Sequence, residues 1–266
     1  MKTKALAIII TAAMLSACRH PAAEQKPVTI AASTEVAATG LPQLLLKRFV
    51  GETHVKATFI AASDEALESA ARSGKIDVAI VNSPAVVAAF RHSNLVKLGS
   101  VFAYDDYIIA GPRKDPARAR SAKTAAEAFR RIVRSRHRFC SPADVQGLRE
   151  RENQVWSLAK INPKKARYVL CHGTAAAALD EANRLDAYTI TDRATIATVK
   201  ASRLEPLLEG VPMLHNDYTA VLLTAPEKNR NAEWFMQWLM SYRGRDAVED
   251  YRFDGGRRFF LAEQRF

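Results

Sequence analysis

Beyond Pro27 the chain switches repeatedly between two periodicities, and that alternation restricts the fold more than any other feature. Residues 28–32 are a short apolar run of strand type, and residues 41–50 carry leucines and Phe49 at helical spacing. Residues 55–61 alternate like a strand. Ser63 is placed to cap the next helix, Asp64 and Glu65 suit its positive N-terminus, and Gly74 stands where the residue after a helix belongs. Residues 76–81 (IDVAIV) read as a buried strand ending in the turn Asn82-Ser83-Pro84, and residues 107–110 as another, stopped by Gly111-Pro112. Thr124-Ala-Ala-Glu127 is a capping box opening a helix to about Arg134. Residues 138–141 and 168–171 read as strands with a helix over 147–160 between them. Thr174 caps a helix to about Leu185, and residues 187–191 form a strand running into Asp192-Arg193. Residues 218–225 are a strand, Asn231 caps a helix over 234–241, and a last helix spans 244–251. This order predicts α/β layers with largely parallel sheets, in one large or two modest domains.

The first eighteen residues set a compartment. Lys2 and Lys4 precede an uncharged apolar run over 5–14, which is too short for a bilayer span of roughly twenty residues. Leu15-Ser16-Ala17-Cys18 then looks like a bacterial lipobox, in which the cysteine is acylated and becomes the new N-terminus. A plain signal peptide cut after Ala17 is the other reading. Residues 19–27 would be a tether holding a soluble domain at a membrane surface, in the periplasm or on the cell surface. Nucleic acid is then not an expected partner. Cys140 and Cys171 remain, and each follows a short apolar segment. A disulfide between neighbouring strands and two separate buried thiols both satisfy that pattern.

With Cys18 exported, the net charge of +11 needs a reading other than cytoplasmic nucleic acid. Between Arg113 and Arg138 stand ten basic residues against Asp115 and Glu127. On the helix inside this stretch, Ala128, Phe129, Ile132 and Val133 form an apolar face with arginines mostly opposite. The stretch reads as a solvated helix face with its loop, or as a surface docking onto anionic lipid or polysaccharide.

Signatures of catalytic chemistry are few in the chain. The six histidines lie far apart, and no HExxH, CxxC or carboxylate–histidine spacing points to a metal. There is no GxSxG elbow, P-loop or Gly-rich dinucleotide turn, so neither an enzyme nor a cofactor is expected. What recurs is a short polar loop between a strand and a helix: Ser33-Thr34, Asn82-Ser83, Ser141 and Thr191-Asp192-Arg193. In an open α/β sheet such loops gather at the carboxyl ends of the strands, where helix N-termini offer N–H groups to an anion. N-capping explains any one of these residues; their recurrence points to a ligand site.

In order and motif the chain resembles the tungstate-binding proteins of bacterial ABC importers, within the phosphate-, molybdate- and tungstate-type solute-binding proteins. The resemblance spans residues 28–266 and is carried by IDVAIVNSP at 76–84 and YDDYIIAGPRKDP at 104–116. AYTITDR at 187–193, LHNDY at 214–218 and the C-terminal region ending in Gly255-Gly256 and an aromatic add to it. It implies a type II periplasmic-binding-protein fold, two α/β lobes joined by two crossing strands and closing on a ligand. One lobe would be residues 28–106 plus 219–266 and the other 107–218, with 107–110 and 218–223 crossing. Ser33, Thr34, Glu35, Ser83, Ser141, Gln146, Gly147, Thr191, Asp192 and Arg193 would line the cleft of a monomer that docks on an ABC permease. Two departures alter that pocket. Glu35 falls where the family has a serine that hydrogen-bonds the oxyanion. In the second lobe the family has a Ser-Arg-Gly-Asp loop followed by Ser-Gly-Thr; here Ser141, Asp144 and Gly147 are kept, but Pro142 stands for the arginine and Leu148 for the threonine. A carboxylate about 4 Å from a monoanion costs about 1–4 kcal/mol, and a lost charge-assisted donor about 1.5–3 kcal/mol. Tungstate affinity should therefore fall by at least about two orders of magnitude unless Arg193 compensates. The alternative on the same scaffold is a non-transport sensor or partner-docking lipoprotein, with Glu35 and Asp144 receiving a neutral or cationic metabolite.

Overall fold

The computed structural model describes residues 26–262 except 197–198, 200–202, 225–228, 254–255 and 258. Residues 1–25, which hold the expected export segment with Cys18 and most of the expected tether, lie outside the described residues, as does Gly255.

The chain opens with strand β1 (Val28–Ser33), the short helix α1 (Thr34–Ala38) and helix α2 (Leu41–Thr53), then β2 (Ala57–Ala62) and α3 (Asp64–Arg72). Ser63 accepts a hydrogen bond from the Ala66 N–H at the start of α3, and Gly74 follows its end at φ +66°. β3 (Val78–Val81) and α4 (Pro84–His92) lead into β4 (Val96–Pro112), a single strand of 17 residues. Next come α5 (Ala125–Ser135), β5 (Arg138–Pro142), α6 (Gln146–Ala159), β6 (Arg167–Cys171), α7 (Ala175–Arg184), β7 (Tyr188–Asp192) and α8 (Arg193–Ile196). β8 (Leu204–Leu208), β9 (His215–Leu223), α9 (Arg230–Met240) and α10 (Tyr242–Glu249) follow, with the short strands β10 (Arg252–Phe253), β11 (Gly256–Arg257) and β12 (Phe260–Leu261) at the end.

The strands run in the order β2-β1-β3-β9-β4-β7-β5-β6, with β8 and β12 also on β4. β4 divides this array. Its residues 96–106 pair antiparallel with β9, and Tyr107–Ala110 pair antiparallel with β7. Within each half the remaining neighbours, β1 with β2 and β3, and β5 with β6 and β7, are parallel. The sheets are therefore mixed rather than largely parallel, because β4 and β9 run between the halves against the direction of their neighbours. Two α/β lobes joined by two crossing strands make this a type II periplasmic-binding-protein fold.

Helices cover both faces of each half, as buried parallel strands require. In the first lobe α2, α9 and α10 pack on one face around Phe49, whose ring meets Phe235 at 5.2 Å and Trp238 at 5.6 Å. Leu67 of α3 and Phe90 of α4 fill the opposite face. In the second lobe Phe129 of α5, Phe139 of β5 and Trp156 of α6 cluster on one side, with the Phe129 and Trp156 rings 4.3 Å apart. On the other side Cys140 and Cys171 form a disulfide between β5 and β6, their Cα atoms 5.8 Å apart, against Leu179 of α7. Thr124 caps α5 as expected; Arg134 in its last turn and Arg136 just past its end are exposed, while Arg130 and Arg131 are half-buried. Arg113 and Arg120 both pair with Glu205 on β8. One cap is corrected: Asn229, not Asn231, begins α9, because its side chain accepts from the Asn231 N–H.

Candidate functional site

The carboxyl ends of β1, β2, β5 and β6 face one another across the junction of the lobes, so the N-termini of α1, α3, α6 and α7 converge there. Between them lies a cavity of about 540 Å³. Ser33, Thr34, Glu35, Ser63, Asp64 and Glu65 line it from the first lobe, and Asp144, Gln146 and Thr174 from the second. Three of these helices are capped from within. Ser33, Ser63 and Thr174 accept from the backbone N–H groups of Val36, Ala66 and Ala177 at 3.4, 3.3 and 3.2 Å. The fourth is not: Val145 stands at the N-cap of α6 and offers no side-chain acceptor. Its first amides must find partners elsewhere.

The nearest acceptor is Glu35, whose carboxyl crosses from α1 on the opposite lobe and lies against Gly147 in the first turn of α6, where the Gly147 N–H acts to favour its ionised form. The approach is close enough that a Cβ on residue 147 would lie 3.0 Å from Glu35 Oε2 and 2.8 Å from Tyr107 Oη, so glycine is required by space. Asn82, at the end of β3, donates from Nδ2 toward Glu35 Oε1 at 3.2 Å, Asn216 Oδ1 at 3.2 Å and Tyr107 Oη at 3.4 Å. Asn216 in turn donates to Asp105 Oδ1 at 2.7 Å, and Tyr218 Oη to Asp105 Oδ2 at 3.4 Å. The network thus ties the crossing strands β4 and β9 to the wall of the cleft. A second carboxylate crosses in the other direction. Glu150, on α6, accepts from the hydroxyl of Ser83 at 3.1 and 3.0 Å, while Ser83 caps α4 by accepting from the Val86 N–H.

Enclosure changes the acids. Burial, reinforced by the charge of Asp192, pushes the Glu35 carboxyl from 4.5 up to about 8, so it is mostly protonated at neutral pH. Burial pushes Asp64 up to about 6, with the Glu65 and Glu150 charges adding to it. Asp105 is raised well above the carboxylate range, by burial and then by Asp192. Among the lining residues are four carboxyl groups, Glu35, Asp64, Glu65 and Asp144, and no lysine or arginine. Among the described residues no group of histidine, cysteine, aspartate and glutamate side chains is placed to hold a metal ion.

The sequence-derived residues fall into three groups. Ser33, Thr34, Glu35 and Gln146 line the cavity, and Gly147 abuts Glu35. Ser83 sits at the lobe junction, committed to Glu150. Ser141, Thr191, Asp192 and Arg193 are not brought to the lining. Ser141 is fully buried below it, donating to Glu152 at 2.5 Å and accepting from Arg149 at 2.5 Å. Asp192 accepts from the backbone and hydroxyl of Thr195, and Thr191 is buried in β7. Arg193 is paired with Asp106 at 3.2 Å and Glu209 at 2.9 Å, so its charge is balanced by carboxylates, while its buried Nε has no hydrogen-bond partner. Asp144 accepts from the Gly173 N–H at 2.8 Å and pairs with His172. Sequence reasoning did not single out Tyr107, Asn216 or Glu150. The loop Asn82-Ser83 was visible, but its partners come from β4, α6 and β9, which only the fold brings together.

A family model described as a bacterial extracellular solute-binding protein matches residues 28–254. A tungstate-binding protein, TupA, of Peptoclostridium acidaminophilum is 27% identical over 270 residues, covering 93% of this chain and 94% of that one. The structure of the tungstate-binding protein TupA from Desulfovibrio alaskensis G20 superposes with a TM-score of 0.82 at 26% identity, covering 90% of this chain and 100% of that one. A structure described as the tungstate ABC transporter from Geobacter sulfurreducens gives 0.76 at 27% identity, covering 85% and 99%.

Proposed function

The chain belongs to the bacterial extracellular solute-binding proteins, and on that premise we propose that it is the solute receptor of an ABC importer, of tungstate-binder type with an altered pocket. The carrying observation is the convergence of four helix N-termini from two lobes on one cavity, an arrangement suited to an anionic group. Residues 28–106 with 219–266 and residues 107–218 act as the two lobes. They part to admit solute and close over it, and the closed form is what the permease recognises. Cys18 carries the lipid anchor and residues 19–27 the tether, so the receptor works as a monomer at the outer side of a membrane.

Ser33, Thr34, Gln146 and Gly147 are the groups proposed to face the solute, and Glu35 sets the affinity. As a protonated acid at neutral pH it repels an anion less than a carboxylate would, but its oxygens take the N–H groups that an oxyanion needs. The loss of the arginine at Pro142 has no replacement, since Arg193 is held by Asp106 and Glu209. Tungstate binding is therefore weak in this protein. Isothermal titration with tungstate, molybdate and phosphate tests the reading, and no binding of any of the three below millimolar concentration removes the oxyanion. The double variant Glu35→Ser, Pro142→Arg should gain tungstate affinity. The four carboxyl groups lining the cavity favour one other reading, a sensor for a neutral or cationic metabolite, which a thermal-shift screen with amines and oxyanions side by side separates from the first.

A further inference from the structure

Two carboxyl groups cross the lobe junction in opposite directions, and each ends at the start of a helix in the opposite lobe. Glu35 leaves α1 and sets its carboxyl against Gly147 at the start of α6, close enough that a Cβ there would lie 3.0 Å from Oε2; Glu150 leaves α6 and receives the Ser83 hydroxyl at the cap of α4. The first contact is the more consequential. The opening amides of a helix have no intrahelical acceptor, and α6 lacks a capping side chain of its own. Its anion-binding end is thus completed by a side chain from the opposite lobe. Asn82 gives the same carboxyl a further donor, and Gly147 leaves space for nothing larger than a hydrogen beside it.

We propose that Glu35 is an internal ligand of this receptor: it occupies the anion seat at the start of α6, holds the lobes together in the absence of solute, and so decides that a tetrahedral oxyanion is accepted only by displacing it. Glu150 with Ser83 is the reciprocal latch. This deepens the receptor reading and rests on it for the identity of the competing solute, though not for the latch itself. In a receptor without such a side chain, solute supplies the acceptor that draws the lobes together. Here the acceptor is built into α1, closure no longer reports occupancy, and an incoming oxyanion gains only the difference between its own hydrogen bonds and those of Glu35. Solutes that fill the remaining cavity while leaving Glu35 in place are favoured over those that need its position.

Hydrogen exchange read by mass spectrometry on the full chain, with no solute and then with sodium tungstate, tests this directly. The Gly147 amide has no helical acceptor, so its protection depends on the Glu35 contact. The solute-free wild type should show protection over residues 145–148 and little change with tungstate. Glu35→Ser should lose about tenfold or more of that protection when solute-free, regain it with tungstate, and bind tungstate roughly tenfold to hundredfold more tightly in titration. Glu35→Gln, which keeps an acceptor oxygen at the same reach, should stay protected. Glu150→Ala, which removes the acceptor, should loosen the peptide around Ser83 without gaining tungstate affinity. An unprotected Gly147 in the solute-free wild type, or protection in Glu35→Ser equal to wild type, overturns the proposal. Loss of protection in Glu35→Ser with no tungstate binding by any variant upholds the latch and removes the oxyanion reading instead.

Discussion

Replacing Glu35 with glutamine should leave stability unchanged in acid and raise it progressively through neutral pH. One proton sets the effect. Below pH 4.5 the carboxyl is protonated in both the folded and the unfolded chain, and glutamine differs little from it. Between 4.5 and about 8 the unfolded chain ionises while the enclosed carboxyl does not, so the folded state binds more protons and stability falls as pH rises. Above about 8 the loss is complete. The whole interval converts to about 5 kcal/mol at 1.36 kcal/mol per pH unit. Glu35 keeps part of its surface open to the cavity, where water screens it, and the lobes can part without unfolding, so about 2–3 kcal/mol is the working figure. That corresponds to a rise in Tm of roughly 5–10 °C for the variant at pH 8.5. Urea melts of both proteins from pH 4 to 9 supply the difference in stability as a function of pH. Asp64 and Asp105, whose values are also raised, titrate in both proteins and largely cancel in that difference. A difference that does not change with pH, or one in which glutamate gains on glutamine as pH rises, refutes the assignment of an enclosed, protonated Glu35.

Gly147→Ala places a Cβ within 3.0 Å of both Tyr107 Oη and Glu35 Oε2, so it should cost about 1–3 kcal/mol and loosen the lobe junction, seen as reduced exchange protection around Asn82. Cys171→Ser removes a bridge between residues 31 apart in sequence and should cost about 2–4 kcal/mol in urea melts, with the wild type reaching the same midpoint once reduced. Glu152→Ala strands the hydroxyls of Ser141 and Tyr168 and the Trp156 indole N–H, all of which donate to this fully buried carboxylate. A loss of about 3–5 kcal/mol is expected by thermal or chemical unfolding.

The alternation of periodicities was enough to place most strands and helices, because each carries its own local signals: Ser63, Thr124 and Thr174 cap as their side chains dictate. The exceptions have local causes. α1 is five residues long, too short for a helical period to register. β8 contains Pro206, which weakens any strand pattern and is tolerated here because β8 is an edge strand paired with β4 on one side. The length of β4 was hidden because Lys97, Gly99, Ser100, Asp105 and Asp106 interrupt its apolar run, and only pairing with β9 and then β7 makes it one strand. The site divides the same way. Hydroxyls at strand ends are local and were legible. That Glu35 would cap α6, that Ser141 would turn inward to Glu152 and that Arg193 would be balanced by Asp106 and Glu209 depend on residues distant in sequence, which spacing does not reveal.

The position of β9 also dictates an order of assembly. It is made after nearly everything else, yet it inserts between β3 and β4, and the core around Phe49 waits for Phe235, Trp238 and Phe259. A chain emerging N-terminus first can therefore complete the second lobe, whose β5, β6, β7 and β8 lie in one continuous stretch, while β1 and β3 stand with an apolar face uncovered and a strand edge unpaired. The half that is synthesised first is the half that folds last. A chaperone guarding this protein during export has its window there, from the appearance of β3 until residue 259 is released.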